Sequence, residues 1–233
     1  MEWQRGDTVV CWLGGGLLLR WWDHAFVLDA PPTVVEALGE ALPLTRAVVL
    51  SGGGAGSVGG LVPLLTALAP YRDGAPLDLR LVLGEERGAA LAETWVRAWG
   101  QPYPLVVDAE RPGGRLELGP IEVELVPMKA GEWDWAAAQV RSRVQVALRV
   151  HTPDGVVVWV PGAAPGTAVV RACRGADLAV IEVGVTPWPR HPGRWRLSAA
   201  EAVRAGGEAG QLWLVGDDGR PLGGAAAEDG PLA

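Results

Sequence analysis

The residue types and spacing that could support chemistry are concentrated in one glycine-rich loop. Gly54-Ala55-Gly56-Ser57-Val58-Gly59 matches the pattern G-x-G-x-x-G and lies between an apolar strand and a helical segment. In dinucleotide-binding proteins, the backbone N–H groups of such a loop hold pyrophosphate at the start of the helix. Such a site also requires an acidic residue, and Glu85 lies at the end of the next predicted strand. One hypothesis is therefore that residues 52–60 bind a nucleotide or another phosphorylated small molecule.

The same loop resembles the signature of the metallo-β-lactamase superfamily. That signature is a buried strand, then Thr-His-x-His-x-Asp-His, then x-Gly-Gly-Leu at the start of a helix. Gly59-Gly60-Leu61 matches the end of this frame, and Ser51 falls at the threonine. The three histidine positions and the aspartate position of the signature are occupied by Gly52, Gly54, Ser57 and Gly56. In active members these residues hold one or two metal ions that activate water, and none of the four can ligate here through an imidazole or a carboxylate.

Three further ligand-bearing segments of the family also lack their ligands. Residues 157–162 resemble the strand that ends in a metal-bridging aspartate, and Gly162 stands in its place. Residues 127–130 resemble the region that supplies another histidine, at Ala130. Residues 211–216 resemble the closing strand that ends in Thr-His, which is Val215-Gly216 here. Loss of ligands in four separate loops implies that the whole metal site is absent, so we expect no cofactor.

Two charged residues remain as candidates in the former metal cleft. Asp29 ends a segment, residues 26–31, that resembles an early family strand. Its other interpretation, which we favour from the sequence, is a cap for the helix that follows Pro32. Lys129 is the only lysine of the chain, and its ammonium group could hold an anionic ligand or be a solvated surface group. The candidate ligand-binding residues are Asp29, Ser51, Gly52, Gly54, Gly56, Ser57, Lys129, Gly162 and Gly216.

Hydrophobic patterning predicts the elements that position these residues. Strands are predicted at 8–13, 17–22, 25–28, 47–50, 77–83, 105–107, 116–118, 121–127, 139–150, 156–160, 178–182 and 211–215. Helices are predicted at 34–42, 61–69, 85–99, 166–173 and 198–205. Two strand meanders, each joined to alternating strands and helices, favour two sheets packed face to face with helices outside.

The resemblance implies the same architecture. It predicts an α/β fold, a four-layer αββα sandwich of two mixed β-sheets flanked by helices, similar to ribonuclease Z-like and PqqB-like members. Residues 1–216 are expected to form a single domain, and residues 217–233, rich in glycine and alanine, a loose C-terminal tail.

Composition and charge exclude several classes of function. The formal net charge of −7 disfavours binding to nucleic acid, which needs clustered lysine and arginine. Cys11 and Cys173 form neither a disulfide framework nor a zinc-ligand pattern. No apolar run approaches the ~20 residues of a membrane span, and the first residues are too polar for a signal peptide. We therefore expect a cytoplasmic protein that does not bind membranes.

The sequence favours a non-catalytic protein with a metallo-β-lactamase fold. We expect it to bind a small anionic ligand or a protein partner, and tryptophan-rich surfaces also suggest a homodimer. The alternative is a metal-dependent hydrolase of phosphoesters or esters that uses relocated ligands, such as Asp29, His24 or Asp217-Asp218.

Overall fold

Two β-sheets form the centre of the protein. The computed structural model describes residues 1–52, 55–82, 86–100, 103–128, 145–163, 165–184 and 197–226. The first sheet has seven strands in the order β1 (Glu2–Arg5), β2 (Thr8–Trp12), β3 (Leu17–Trp21), β4 (His24–Leu28), β5 (Thr45–Leu50), β6 (Leu77–Val82) and β7 (Leu105–Glu110). The second has seven strands, β8 (Arg115–Leu118), β9 (Ile121–Met128), β10 (Gln145–Thr152), β11 (Gly155–Val160), β12 (Leu178–Val183), β13 (Gln211–Gly216) and β14 (Pro221–Ala226).

Both sheets change from antiparallel to parallel pairing along their width. Strands β1 to β4 are antiparallel and β4 to β7 are parallel. Strands β8 to β11 are antiparallel and β11 to β13 are parallel, with β14 antiparallel at the edge. Loops after the carboxyl ends of parallel strands are the usual place for binding sites in open α/β sheets. Strands β4, β5, β11, β12 and β13 all present such loops.

The helices of the described residues flank the two sheets. They are α1 (Val34–Leu38), α2 (Ala55–Val58), α3 (Leu61–Arg72), α4 (Glu86–Trp99), α5 (Thr167–Cys173) and α6 (Ala199–Gly206). The single helix predicted at 34–42 is wrong in its second half, because Gly39 has φ +49° and ends α1. A 3-10 helix, Gly39–Leu44, follows and contains Pro43.

Three hydrophobic layers hold the elements together. Alternate residues of both sheets, including Leu28, Val150 and Trp159, form the core between the sheets. The other face of the first sheet packs against α1, α3 and α4, with Leu64 among the buried residues. The other face of the second sheet packs against α5 and α6, with Cys173 buried. The four-layer αββα sandwich expected from the sequence is therefore confirmed.

The C-terminal segment differs from the loose tail predicted for residues 217–233. Residues 221–226 form β14, which pairs with β13 in a register that places Leu212 opposite Ala225. Backbone hydrogen bonds to an existing edge strand order this segment despite its small side chains. Residues 227–233 lie outside the described residues. No helix in the described part of the chain is long and apolar enough to cross a membrane.

Candidate functional site: the cleft at the carboxyl ends of the strands

Four of the candidate residues lie at one end of the sandwich. Asp29 follows β4 and Ser51 follows β5, while Gly162 comes two residues after β11 and Gly216 ends β13. A hydrogen bond from Trp159 of β11 to Asp29 joins the two sheets at this end. The parallel strands therefore bring together positions that are distant in the sequence, as expected from the resemblance.

Asp29 is the best-connected polar side chain of this end. It has no exposed surface, and its backbone has φ +64° in the left-handed region, where aspartate is more acceptable than most residues. The backbone N–H of Ser51 donates to Oδ1 at 2.7 Å, and the Ser51 hydroxyl donates to Oδ2 at 2.6 Å. The indole Nε1–H of Trp159 donates to Oδ2 at 2.7 Å from the other sheet. Asp29 thus holds β4, β5 and β11 together.

Burial and hydrogen bonding have opposite effects on the pKa of the Asp29 carboxyl group. Complete burial raises the pKa of its carboxyl group, because the charged form loses its hydration. The hydrogen bonds from Ser51 and Trp159 stabilise the carboxylate and lower the pKa, as does the nearby Ser57 side chain. Burial has the larger effect, so the pKa of Asp29 lies above its ordinary value.

Aromatic and loop contacts close the sandwich around this carboxylate. The rings of Trp12 and Trp159 meet edge to face with centroids 5.5 Å apart. The Trp12 indole N–H donates to the Gly219 carbonyl at 3.0 Å, which brings the β13–β14 loop over the first sheet. A side chain at Gly219 would lie 2.7 Å from the Gly14 carbonyl oxygen, so the two loops touch through their backbones. These contacts join the β2–β3 and β13–β14 loops next to Trp159, whose indole donates to Asp29.

The glycine-rich loop is fixed by backbone contacts to the segment after Asp29. The N–H of Ala30 donates to the Ser57 carbonyl at 2.7 Å, and the N–H of Gly60 donates to the Ala30 carbonyl at 2.7 Å. A Cβ atom at Gly60 would collide with the Pro31 carbonyl oxygen. Gly60 is therefore required by the close approach of α3 to this segment. Its N–H, a group that a phosphate would need at the helix start, is already engaged, so the geometry does not favour the nucleotide hypothesis.

Gly56 has a different environment from Gly60. It is exposed within α2, its φ is not positive, and a Cβ atom added to it would meet nothing within 4 Å. The space in front of Gly56 would therefore accept a side chain. Sterics do not explain glycine at this position, where the family signature has aspartate.

The backbone groups of the two other glycine positions are used within the protein. The N–H of Gly162 donates to Oε2 of Glu182 at 3.0 Å, and Gly162 has φ +34°. The N–H of Gly216 donates to the Arg220 carbonyl at 2.7 Å. Neither N–H is left to bind an anion.

The structure contradicts one prediction about a charged residue and separates two of the candidate ligands of the alternative hydrolase. Asp29 does not cap α1, because the N-cap is Thr33, whose hydroxyl donates to the Leu13 carbonyl at 2.9 Å. His24 begins β4 while Asp29 follows its end, so roughly 16 Å of extended strand separates them and one metal ion cannot bind both. Gly54, Lys129 and Ala130 lie outside the described residues.

The comparisons with known proteins identify the fold. No protein-family model matches the chain, and no curated protein matches its sequence. Human tRNase Z, short form, superposes with a TM-score of 0.67 at 11% identity over 88% of this chain and 87% of its own. The metallo-β-lactamase fold protein YhfI from Bacillus subtilis gives 0.64 at 18% identity over 85% and 76%. The chain has the metallo-β-lactamase fold.

A third structure extends this similarity. Zn²⁺-bound PqqB from Methylobacterium extorquens has a TM-score of 0.54 at 16% identity, covering 76% of this chain and 60% of PqqB. The predicted likeness to ribonuclease Z-like and PqqB-like proteins is therefore confirmed at the level of the fold. Identities this low do not extend to activity.

The described residues do not fit the metal ions that the metallo-β-lactamase fold is known to hold. Within them, no three side chains of histidine, cysteine, aspartate or glutamate come together as a ligand group. The signature positions present in that part carry Gly52, Gly56, Ser57, Gly162 and Gly216. Asp29, the carboxylate at this end, is buried and accepts three hydrogen bonds. Among the residues that the structure describes, the donor set at this end therefore offers a metal ion no group of ligands.

The role of Trp159 is not among the predictions made from the sequence. A signal was present, because a buried tryptophan in an apolar strand usually requires an acceptor for its indole N–H. Trp159 is fully buried beside a former ligand position, and the acceptor it finds is 130 residues away in the sequence.

The raised pKa of Asp29 gives a testable pH dependence. A group with a raised folded-state pKa stabilises the protein fully below its unfolded-state pKa, and this contribution is lost as the pH rises through the folded-state value. We expect the free energy of unfolding of the native chain, relative to Asp29→Asn, to be highest below about pH 3.9 and to fall as the pH rises. Urea unfolding of both proteins across the range measures the difference. A difference that stays flat or rises with pH would contradict a raised pKa.

Proposed function

We propose that this chain is a non-catalytic binding protein of the metallo-β-lactamase fold, in which a buried hydrogen-bonded centre has replaced the metal site. The observation that carries the proposal is Asp29, whose carboxylate accepts hydrogen bonds from Ser51 and, across the two sheets, from Trp159. A carboxylate used in this way stabilises the end of the sandwich. It does not present an open ligand position to a metal ion or to water.

The burial of Asp29 also argues against hydrolysis without a metal ion. A general base must come within about 2.6–3.2 Å of the proton that it removes, directly or through one water molecule. Asp29 has no exposed surface, and its neighbours donate to it rather than accept from it. Ser51 is 1% exposed and its hydroxyl donates a hydrogen bond to Asp29, so burial keeps it from a substrate.

The cleft itself supports a binding role. Gly56 is exposed with nothing within 4 Å of an added Cβ atom, and Ser57 is partly exposed, so this part of the loop is accessible to a ligand. The proposed ligand is a small anion, because the resemblance places the ammonium group of Lys129 beside a former ligand position. A protein partner or a second copy of the chain is the other occupant proposed for this face.

Metal content is the measurement that tests the proposal. The tag-free protein, incubated with zinc and manganese and then desalted, should retain less than about a tenth of an equivalent of either metal. The physical reason is that apparent zinc binding of 10–16 kcal/mol comes from a complete set of deprotonated ligands, as in zinc-finger peptides at about pH 7. Elemental analysis before and after chelation gives the number of metal ions bound per chain.

A matched variant separates a real site from binding at scattered imidazoles. His24→Ala, His151→Ala and His191→Ala together remove every histidine of the chain. Substoichiometric metal that disappears in this variant, and that supports no turnover of bis-p-nitrophenyl phosphate by the native chain, is binding at isolated imidazoles and leaves the proposal intact. One or two equivalents bound by the native chain, accompanied by turnover of bis-p-nitrophenyl phosphate, would overturn the proposal and favour the relocated-ligand hydrolase.

A further inference from the structure

Trp22 has an unusual position in the turn between β3 and β4. The two strands pair from Leu17 opposite Leu28 to Trp21 opposite His24, so Trp22 and Asp23 form a two-residue hairpin loop. Trp22 has φ +52°, and 67% of its surface is exposed. In such loops the first central residue with positive φ is usually glycine, because a side chain is strained there. Trp22 therefore has a strained backbone, and its large apolar side chain is not buried.

Specific contacts hold Trp22 in this conformation. Its indole N–H donates to Oδ2 of Asp7 at 3.0 Å. The backbone N–H of Asp7 donates in turn to Oδ2 of Asp154 at 3.0 Å, in the turn between β10 and β11. The indole ring is thus held by Asp7 and lies against Trp21, with ring centroids 6.0 Å apart, while most of the residue remains exposed. Strained residues held by their surroundings are concentrated at binding sites.

Trp22 forms one wall of a shallow pocket on the outer face of the first sheet. The pocket has a volume of about 340 Å³ and is lined by Gln4, Asp7, Val9, Arg20 and Trp22. Val9 and Arg20 are cross-strand neighbours, so the nearly buried Val9 forms an apolar floor beside a guanidinium group. The pocket lies beside the turn that precedes β4, whereas Asp29 follows the end of that strand. It is therefore distant from the cleft, and it does not depend on the function proposed there.

The chemistry of the pocket indicates its ligand. The exposed indole ring of Trp22 suits a ligand with a flat apolar surface. Asp7 offers such a ligand carboxylate acceptors, and Arg20 and Gln4 offer it hydrogen-bond donors. A carboxylate beside the indole disfavours phosphates and other anions, whereas a neutral ring with several hydroxyl groups can stack on the indole and satisfy both kinds of partner. We propose that the Trp22 pocket is a binding site for a neutral carbohydrate.

The experiment is a titration of the ¹⁵N-labelled full chain with maltotriose, cellotriose and chitotriose, followed by NMR. At least one sugar should shift the indole N–H signal of Trp22 saturably, with a Kd of about 1 mM or below. Trp22→Gly should weaken this binding at least tenfold without lowering Tm, because glycine relieves the left-handed strain. Tyr71→Ala removes another exposed aromatic residue, on α3, and should leave the binding unchanged.

Three outcomes would overturn the proposal. The first is no saturable shift with any of the three sugars. The second is that Trp22→Gly binds as the native chain does or has a clearly lower Tm, since the ring would then serve stability. The third is that adenosine or guanosine saturates the Trp22 signal while the sugars do not, which would assign the pocket to a nucleobase.

Discussion

Substituting alanine for Gly60 should destabilise the protein by about 3 kcal/mol or more. The added methyl group would collide with the carbonyl oxygen of Pro31 and lie 2.7 Å from Cγ1 of Val34. Relief would require α3 to move away from the segment after Asp29, which would break the hydrogen bond from Gly60 to Ala30. Chemical denaturation monitored by circular dichroism measures the loss in the free energy of unfolding. The dependence of this free energy on denaturant concentration is taken as the same for both proteins.

Gly56→Ala is the matched control in the same loop. Its methyl group would meet nothing within 4 Å, and alanine favours helix over glycine, so we expect no loss of stability or a small gain of about 0.5–1 kcal/mol. Equal losses at both positions would mean that steric fit does not distinguish these two glycines. The expected contrast separates Gly60, which the fold requires, from Gly56, which it does not. Glycine at position 56 then has no steric requirement in the fold.

Much of the fold could be predicted because burial leaves a local pattern in the sequence. In β10, Val146, Leu148 and Val150 alternate with residues of the opposite face, and the structure confirms the predicted strand from Gln145 onward and its hairpin with β11. The first part of that prediction, residues 139–144, lies outside the described residues. The predictions failed where pairing or backbone geometry decides the outcome. The edge strand Glu2–Arg5 is mostly exposed and has no apolar alternation, so it is specified by β2 alone.

The sequence predicted which candidate residues lie at the same end of the sandwich, but not the contacts of Asp29. The order of the signature-like segments correctly placed Ser51, Gly162 and Gly216 at one end of the sandwich, because the ends of parallel strands meet. The role of Asp29 was predicted wrongly, because local rules assign an aspartate near a helix start to a cap. Its real donors, Ser51 and Trp159, are 22 and 130 residues away, and no local pattern reports such contacts.

The same donors predict a large effect for Asp29→Ala. Removing the carboxylate leaves the Ser51 N–H and the Trp159 indole N–H without their acceptor in a fully buried place, and each unsatisfied group costs about 1–3 kcal/mol. Alanine at φ +64° adds strain that aspartate tolerates better. We expect a loss of about 4 kcal/mol in the free energy of unfolding, measured by urea denaturation at neutral pH.

Asp29→Asn is the matched control, because it keeps the size, one of the two acceptor oxygens and the tolerance of positive φ. It should cost clearly less than Asp29→Ala, and the double variant Asp29→Ala/Trp159→Phe should cost less than the sum of its single changes. That coupling follows if Trp159 stabilises the sandwich through Asp29, across the two sheets. Additive effects, or a loss below about 1 kcal/mol for Asp29→Ala, would mean that the carboxylate does not link the sheets. The replacement of a metal site by a structural centre would then lose its main support, because the centre would stabilise nothing.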